Sequence, residues 1–249
     1  MDLSAIFQCY KNPYATYKCL ESFREFYPNS QVILYSDNGY DYSEMAKRFN
    51  CEYFHEDVNL RGASVLIKDG DYFLNVCRLR KVLSRVNALY YIVLEDDVRI
   101  VSKYTEEFKG DINGNCVNRI RKFVFDSIPF NSSVHQDTYY SGHGGSVYNT
   151  KTMVELLNKE EQILWIIKNW ESIGLGPTID DDVFMSLLVL INGGSVHNLT
   201  QHRDLITNHI SEFTGVAVLH QVKHDYGKGL THNLKHLVNE ENGSSNRQL

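Results

Sequence analysis

Short apolar runs alternate with helical periodicity over the first hundred residues of the chain. The runs that predict strands are rich in β-branched and aromatic residues and lie at 4–10, 31–37, 51–57 and 90–94. Between the first two runs, apolar side chains recur every three or four residues, at Tyr17, Leu20, Phe23 and Tyr27. Further helices are predicted at 42–50 and 71–86. The alternation is typical of β-α-β units, so we predict an α/β single domain with a mostly parallel central sheet flanked by helices.

The pattern becomes less regular after residue 97. It predicts strands at roughly 121–125 and 138–147, and then one long helix with apolar positions at Met153, Leu157, Leu164 and Ile167. An apolar run at 183–191 predicts a further helix, which three aspartates precede. The polar segment 239–249 lacks apolar residues that could pack, so we expect a domain over 1–238 and a flexible tail after it.

The composition is that of an ordinary globular protein: 249 residues, 43% hydrophobic and 22% charged. The formal net charge is −6 and the basic residues are scattered, which argues against a nucleic-acid-binding protein. An anionic ligand would have to be bound by a few basic residues at its own site. Five cysteines without a C-x-x-C pair predict neither a zinc knuckle nor a disulfide framework. No signal peptide or membrane-spanning stretch is recognisable, so we expect a soluble cytoplasmic protein.

Three consecutive carboxylates follow the predicted strand at 90–94: Glu95, Asp96 and Asp97. Adjacent carboxylates repel and raise one another's pKa unless a cation or a fixed donor neutralises them. A metal ion, an arginine and plain solvent all remain open as their partner. In an open parallel sheet, ligands bind outside the carboxyl ends of the strands. The same rule places further polar residues at this edge: Tyr10, Asp37 and Arg61.

Five segments resemble, in order, those of glycosyltransferases with the GT-A fold, in particular the inverting N-acetylglucosaminyltransferase I type. They are QCYKNPYATYKCLESF, YSDNG, CRLRKVLSRVNALYYIVLEDDVRIVSKYTEEF, YYSGHGGSVYNTKTMVELL and IDDDVF, and they cover about residues 4–192. The resemblance implies a GT-A (Rossmann-like) fold. It also implies a nucleotide-sugar donor, most often a UDP-sugar, a glycan or other hydroxyl acceptor, assistance by Mn²⁺ or Mg²⁺, and inversion at the anomeric carbon.

The resemblance assigns roles to the first acidic triplet. Asp97, the last acid of the motif, is the expected metal ligand, Asp96 reaches the ribose or the donor sugar, and Glu95 braces the turn. Many GT-A enzymes use a late histidine as a second metal ligand, which makes His220 a candidate. The N-acetylglucosaminyltransferase I type does not depend on such a histidine.

The second acidic triplet, Asp180 to Asp182, is similar to the acidic pair that supplies the catalytic base in this family. Inversion requires a base that removes the proton of the acceptor hydroxyl, and the resemblance points to Asp182 with Asp181 beside it. Aspartates at a helix start also cap the first turn, which is the commoner role for any single one. With three in a row, one can cap while another reacts.

Further residues are candidates for donor binding. Asp37 matches the family's contact to the uracil or ribose, and Arg78 matches a basic position on the helix before the acidic motif; a simple turn and a surface arginine are the alternatives. Tyr10 flanks the base or packs on the neighbouring helix, and Arg61 is a phosphate candidate. Gly144 and its neighbouring glycines let a loop approach the donor sugar, or form a tight turn.

Two other functions are weighed against the transferase. A phosphohydrolase with a D-x-D nucleophile needs that motif after the first strand, and 4–10 contains no aspartate. A non-catalytic nucleotide-sugar or glycan-binding module would keep the same pocket but has no need of the second acidic triplet.

Overall fold

The computed structural model describes residues 3–9, 12–36, 39–57, 71–116, 118–131, 133–142, 144–204 and 215–220. Its helices are α1 Pro13–Phe26, α2 Ser43–Arg48, α3 Asp71–Leu83, α4 Lys122–Asp126, α5 Thr150–Leu157, α6 Glu160–Asn169 and α7 Asp181–Ile191. Its strands are β1 Leu3–Cys9, β2 Val32–Ser36, β3 Glu52–His55, β4 Tyr90–Leu94, β5 Arg99–Ile100, β6 Ile112–Gly114, β7 Asn118–Ile120, β8 Thr138–Tyr140, β9 Val147–Asn149, β10 Val196–Asn198, β11 His202–Asp204 and β12 Val218–His220. Among these helices, none combines the length and hydropathy needed to cross a bilayer.

A seven-stranded sheet with the order β10-β6-β9-β4-β1-β2-β3 forms the centre of the fold. Its neighbouring strands are parallel except where β9 pairs with β4 and with β6. The predicted α/β architecture with a mostly parallel sheet is therefore confirmed.

Helices cover the central sheet on both faces. Along β1, Ile6 packs into a core with α3, α5, α6 and α7, whereas Ala5 and Phe7 pack into a second core with α1 and α2. Because both faces are buried, β1 and β2 are mostly apolar and do not alternate between apolar and polar residues.

Two smaller sheets complete the described fold. One has the order β11-β12-β5, and the other is the β7-β8 hairpin. In the first, β12 runs antiparallel to β5, with Val218 opposite Ile100 and Leu219 opposite Arg99. One further step in this register brings His220 alongside Val98, next to the acidic turn that follows β4.

The strand predicted at 121–125 is wrong, because this segment forms helix α4. The carboxylate of Asp137 accepts a hydrogen bond from the amide of Lys122 (2.8 Å) and so satisfies a free donor at the helix start. Lys122 and Asp126 form an ion pair one turn apart, while Val124 and Phe125 are buried. These contacts outweigh the β propensity of the Phe-Val-Phe run.

The long helix predicted through Leu157 and Leu164 is two helices, α5 and α6, which are separated at Asn158 and Lys159. The apolar stripe changes phase there, because Glu160 and Glu161 occupy the positions that would continue it and Leu164 is 43% exposed. The strand predicted at 138–147 is likewise two strands, β8 and β9, with a glycine-containing loop between them.

Candidate active site

The first acidic triplet forms the turn between β4 and β5, at the carboxyl edge of the central sheet. The amide of Val98 donates a hydrogen bond to the carbonyl of Glu95 (3.1 Å), which closes the turn. Since β1, β2 and β4 are parallel, their carboxyl ends share this edge. The predicted position of Glu95, Asp96 and Asp97 at a ligand-binding edge therefore fits the observed topology.

Two carboxylates of the turn and one imidazole form a cluster. The Nε2 atom of His220 lies 3.6 Å from Oε2 of Glu95 and 3.4 Å from Oδ1 of Asp97. One possible ligand atom from each of the three side chains lies within 4.8 Å of the others. Asp97 is 4% exposed and His220 is 6% exposed. The cluster is thus a set of hard oxygen and imidazole ligands in a largely buried position.

The cluster brings together both predicted metal ligands, Asp97 and His220, and adds Glu95. The sequence interpretation gave Glu95 only a bracing role and so missed it as a candidate ligand. The signal that could have found it is the i, i+2 spacing of Glu95 and Asp97, which a tight turn can direct to one side.

Asp96 lies on the other side of the turn, toward α1. Its Oδ2 atom accepts a hydrogen bond from Nδ2 of Asn12 (2.6 Å). Cys19 of α1 lies close beneath the turn: burial raises the pKa of its thiol well above the usual value, and the charges of Asp96, Asp97 and Glu95 raise it further. Cys19 is therefore a neutral thiol at this site.

The three aspartates of the second triplet have different contacts. Asp180 caps α7, since its Oδ1 atom accepts hydrogen bonds from the amides of Asp182 (3.0 Å) and Val183 (3.3 Å). Asp181 hydrogen-bonds with the hydroxyl of Tyr72, whose pKa is raised by burial and then by the Asp181 charge. With Asp180 as the cap, the carboxylate of Asp182 does not have to serve the helix start.

Residues from both triplets line one cleft. Glu95 and Gly142 line it together with Asp181 and Asp182 of α7. Burial raises the pKa of Tyr148, and the charges of Asp182 and Glu95 are among the further causes. Tyr148 lines the same cleft and is close enough to both acidic groups for their charges to act on it.

Arg78 is buried, so the alternative that it is only a surface arginine is wrong. It is 5% exposed, its Nη2 atom donates to Oδ1 of Asn75 (2.7 Å), and its guanidinium lies 5.1 Å from the centre of the Tyr35 ring. Asn75 and Tyr35 both line the cleft, so Arg78 supports its wall. The other candidates for donor binding, Tyr10, Asp37 and Arg61, lie outside the described residues.

The glycines before β9 let their backbone lie very close to the two acidic groups. A Cβ atom on Gly144 would lie 3.0 Å from Oε2 of Glu95 and 2.8 Å from Cγ2 of Val98. A Cβ atom on Gly142 would lie 2.7 Å from Cα of Asp182. The glycines thus let this loop pack between the two acidic groups, while the predicted approach of Gly144 to a donor sugar stays a prediction.

No protein-family profile and no curated protein matches the chain. Among solved structures, galactosyltransferase LgtC in complex with donor and acceptor sugar analogues matches with a TM-score of 0.50 and 14% identity, over 87% of this chain and 86% of that chain. An active-site mutant of LgtC matches with a TM-score of 0.54 and 12% identity, over 97% and 95% of the two chains. The chain has the GT-A fold. The finer resemblance to the N-acetylglucosaminyltransferase I type gains no support from these GT-A neighbours.

Proposed function

We propose that this GT-A protein is a glycosyltransferase that moves a sugar from a nucleotide-sugar donor, a UDP-sugar, to the hydroxyl of a glycan or other acceptor. The observation that carries the proposal is the convergence of Glu95, Asp97 and His220 at the carboxyl edge of the sheet, beside a cleft that Asp181 and Asp182 also line. The fold is shared with a galactosyltransferase whose structure holds donor and acceptor sugar analogues, which supports a sugar transfer here.

The three clustered side chains suit a divalent cation. Octahedral ligands about 2.1 Å from an ion lie about 3.0 Å from their neighbours. The separations of 3.4 and 3.6 Å from His220 to the two carboxylates are close to that value, so small side-chain movements suffice. Carboxylate oxygens suit Mg²⁺ and Mn²⁺, and the imidazole nitrogen favours a transition metal, so Mn²⁺ fits the set better.

A cation held by these residues would neutralise the charge that develops on the departing diphosphate. Glu95 and Asp97 would supply the negative charge that retains the cation, and His220 would supply the third ligand atom. Asp96, held by Asn12, is oriented for the ribose or donor sugar rather than for this cluster. Arg78 contributes a buried positive charge behind the cleft wall, where it supports a bound anionic donor.

Asp182 is the proposed general base, with Asp181 beside it. Asp182 lines the cleft, whereas Asp180 caps the helix, and a carboxylate in the cleft can accept the proton of an acceptor hydroxyl. A base separated from the leaving group by the cleft suits direct displacement at the anomeric carbon. We therefore propose inversion of configuration.

Donor binding tests the first part of the proposal. Unfolding temperatures are measured with a panel of nucleotide sugars, with and without Mn²⁺, because a ligand of the native state stabilises it by mass action. We expect a UDP-sugar to raise the unfolding temperature in a Mn²⁺-dependent manner, and Asp97→Asn to remove that effect while keeping the fold. Wild-type metal-dependent UDP affinity in Asp97→Asn or Asp97→Ala would contradict the proposed site.

Turnover tests the second part. Asp182→Ala should lower kcat at least about a hundredfold, the usual scale for a general base, with little change in donor affinity. Such a result also excludes a purely binding module, which has no turnover to lose. NMR of the first-formed product decides the stereochemistry: an anomeric configuration equal to that of the donor would overturn both inversion and the role of Asp182.

A further inference from the structure

The hairpin of β7 and β8 forms an open polar groove on the surface. The residues that line it come from both strands and the turn into α4: Asn118, Arg119, Arg121, Tyr139 and Tyr140. Arg119 pairs directly across the hairpin with Tyr139, and Asn118 pairs with Tyr140. The groove therefore combines two guanidinium groups with two phenol rings.

The two arginines are held in place and remain open to solvent. The guanidinium of Arg119 lies 4.2 Å from the centre of the Tyr139 ring and donates a hydrogen bond to its hydroxyl. Arg121 pairs with Asp137 at 2.9 Å. Because an arginine carries five N–H donors in a fixed fork, these contacts orient both groups and leave donors for a further anion.

Tyr140 connects this groove to the candidate base. Burial, followed by the charges of Asp180 and Asp182, raises the pKa of Tyr140 to about 12. The same side chain hydrogen-bonds with Asn118 on the groove side. Two residues further along the chain, Gly142 packs against Asp182. Helix α7, which carries Asp182, packs directly against β8, which carries Tyr140. An acceptor with a hydroxyl at Asp182 would therefore extend past Tyr140 onto the hairpin.

We propose that the hairpin groove is an acceptor subsite for an anionic sugar, one that carries a carboxylate or a phosphate group. This inference rests on the proposed transferase function, because it concerns the acceptor of that reaction. Arg119 and Arg121 bind the anionic group through paired N–H donors, and the ring of Tyr139, which is 44% exposed, supports the apolar face of the pyranose. In a protein of net charge −6, Arg119 supplies the local positive charge that such a ligand needs, and Arg121 adds donors while its charge is shared with Asp137.

Binding of model acceptors by NMR tests the subsite without requiring turnover. The probes are methyl β-D-glucuronide, glucose 6-phosphate and the uncharged methyl β-D-glucoside. At low salt we expect at least one anionic sugar to bind at least about tenfold more tightly than the glucoside, and salt to reduce the difference. The preferred anion then identifies the group as carboxylate or phosphate.

Variants locate the binding. Arg119→Ala should reduce the affinity for the anionic sugar to that for the glucoside, and Arg119→Lys should have an intermediate effect because the charge remains and the fork is lost. Arg85→Ala is the matched control, since Arg85 pairs with Glu52 of β3, at the other end of the central sheet.

Equal affinity for the glucoside and both anionic sugars, or unchanged anion affinity in Arg119→Ala, would overturn the subsite. Mn²⁺-dependent UDP binding is measured in the same variants and should not change. Its absence from the wild type would count against the transferase function, whereas the sugar titrations report on the groove alone.

Discussion

At the scale of single residues, the three neighbouring carboxylates of the first triplet have different surroundings. Glu95 and Asp97 approach the imidazole of His220, whereas Asp96 accepts a hydrogen bond from Asn12. Residue type alone does not distinguish them, because all three carry the same functional group. The turn geometry does, since it separates the middle side chain from its two neighbours.

This difference predicts different effects of removing each charge. Glu95→Gln should weaken Mn²⁺-dependent UDP binding at least about tenfold, because it removes the charge of a proposed metal ligand. Asp96→Asn should lower donor affinity but leave the affinity for Mn²⁺ alone nearly unchanged. Calorimetry with Mn²⁺ alone, and then with UDP, measures both effects. Glu25→Gln, which removes an exposed charge on α1, is the control; equal metal affinity in Glu95→Gln and wild type would contradict the assignment.

At the scale of elements, the start of α7 combines a helix cap with two aspartates that line the candidate cleft. Asp180 accepts hydrogen bonds from the first free amides of the helix. Asp181 hydrogen-bonds with Tyr72, and Asp182 lines the cleft. The sequence anticipated such a division but could not say which aspartate caps, because all three are good capping residues.

Capping and catalysis should separate on mutation. Asp180→Ala is expected to lower the free energy of unfolding by about 1 kcal/mol, the usual effect of losing an N-cap, and the unfolding temperature by about 2–4 °C. Asp182→Ala should leave the unfolding temperature nearly unchanged and remove turnover. Calorimetric unfolding of both variants makes the comparison; a larger loss of stability in Asp182→Ala would identify it as the structural residue of the two.

A second element-scale contact joins the segment after β5 to the segment before β11. Glu106 accepts hydrogen bonds from the amides of Thr200 (3.2 Å) and Gln201 (3.1 Å), as well as from the Thr200 hydroxyl. Burial raises the pKa of Glu106, but these hydrogen bonds outweigh it and hold the pKa below the usual 4.5. The stabilisation by the Glu106 carboxylate is therefore complete above pH 4.5 and is lost as the pH falls through the lower, folded-state pKa.

Glu106→Gln should consequently lower the unfolding temperature at pH 7 by a few degrees, and the difference from wild type should shrink as the pH falls below about 4.5. Unfolding scans from pH 7 to pH 3 measure this difference. The exposed neighbour Glu107 provides the matched variant Glu107→Gln, for which we expect little change. A difference that grows on acidification would show that the Glu106 pKa is raised rather than lowered.

The elements differ in how well the sequence predicts them. Strands β1, β2 and β4 are predictable because burial on both faces favours mostly apolar runs. Helix α4 was not, because the carboxylate that caps it, Asp137, lies 15 residues further along the chain. The break between α5 and α6 could have been found from the change of phase at Glu160 and Glu161.

At the scale of the whole molecule, the candidate site depends on pairing between distant segments. Strands β5 and β12 have two and three residues, too short for a periodic signal, and their pairing cannot be read from local sequence. The acidic turn was predictable from the strand that precedes it. His220 was a candidate through resemblance alone, and its contact with Glu95 and Asp97 follows from the antiparallel register.

Because the candidate ligands lie on both segments, a bound cation should hold those segments together. We expect Mn²⁺ with UDP to slow amide hydrogen exchange in residues 95–100 and 218–220. Exchange in β3, an edge strand of the central sheet, should change little. His220→Ala should abolish the protection. Unchanged exchange at 218–220 under saturating Mn²⁺ and UDP would show that His220 takes no part in holding the metal.

The pairing of β5 with β12 also has a consequence for the growing chain. The ribosome adds His220 123 residues after Asp97, long after β1, β2 and β4 have been synthesised. A nascent chain can therefore assemble the central parallel strands while its acidic turn still lacks the imidazole. The proposed cation site would then be complete only after the central strands that position its acidic turn have been made.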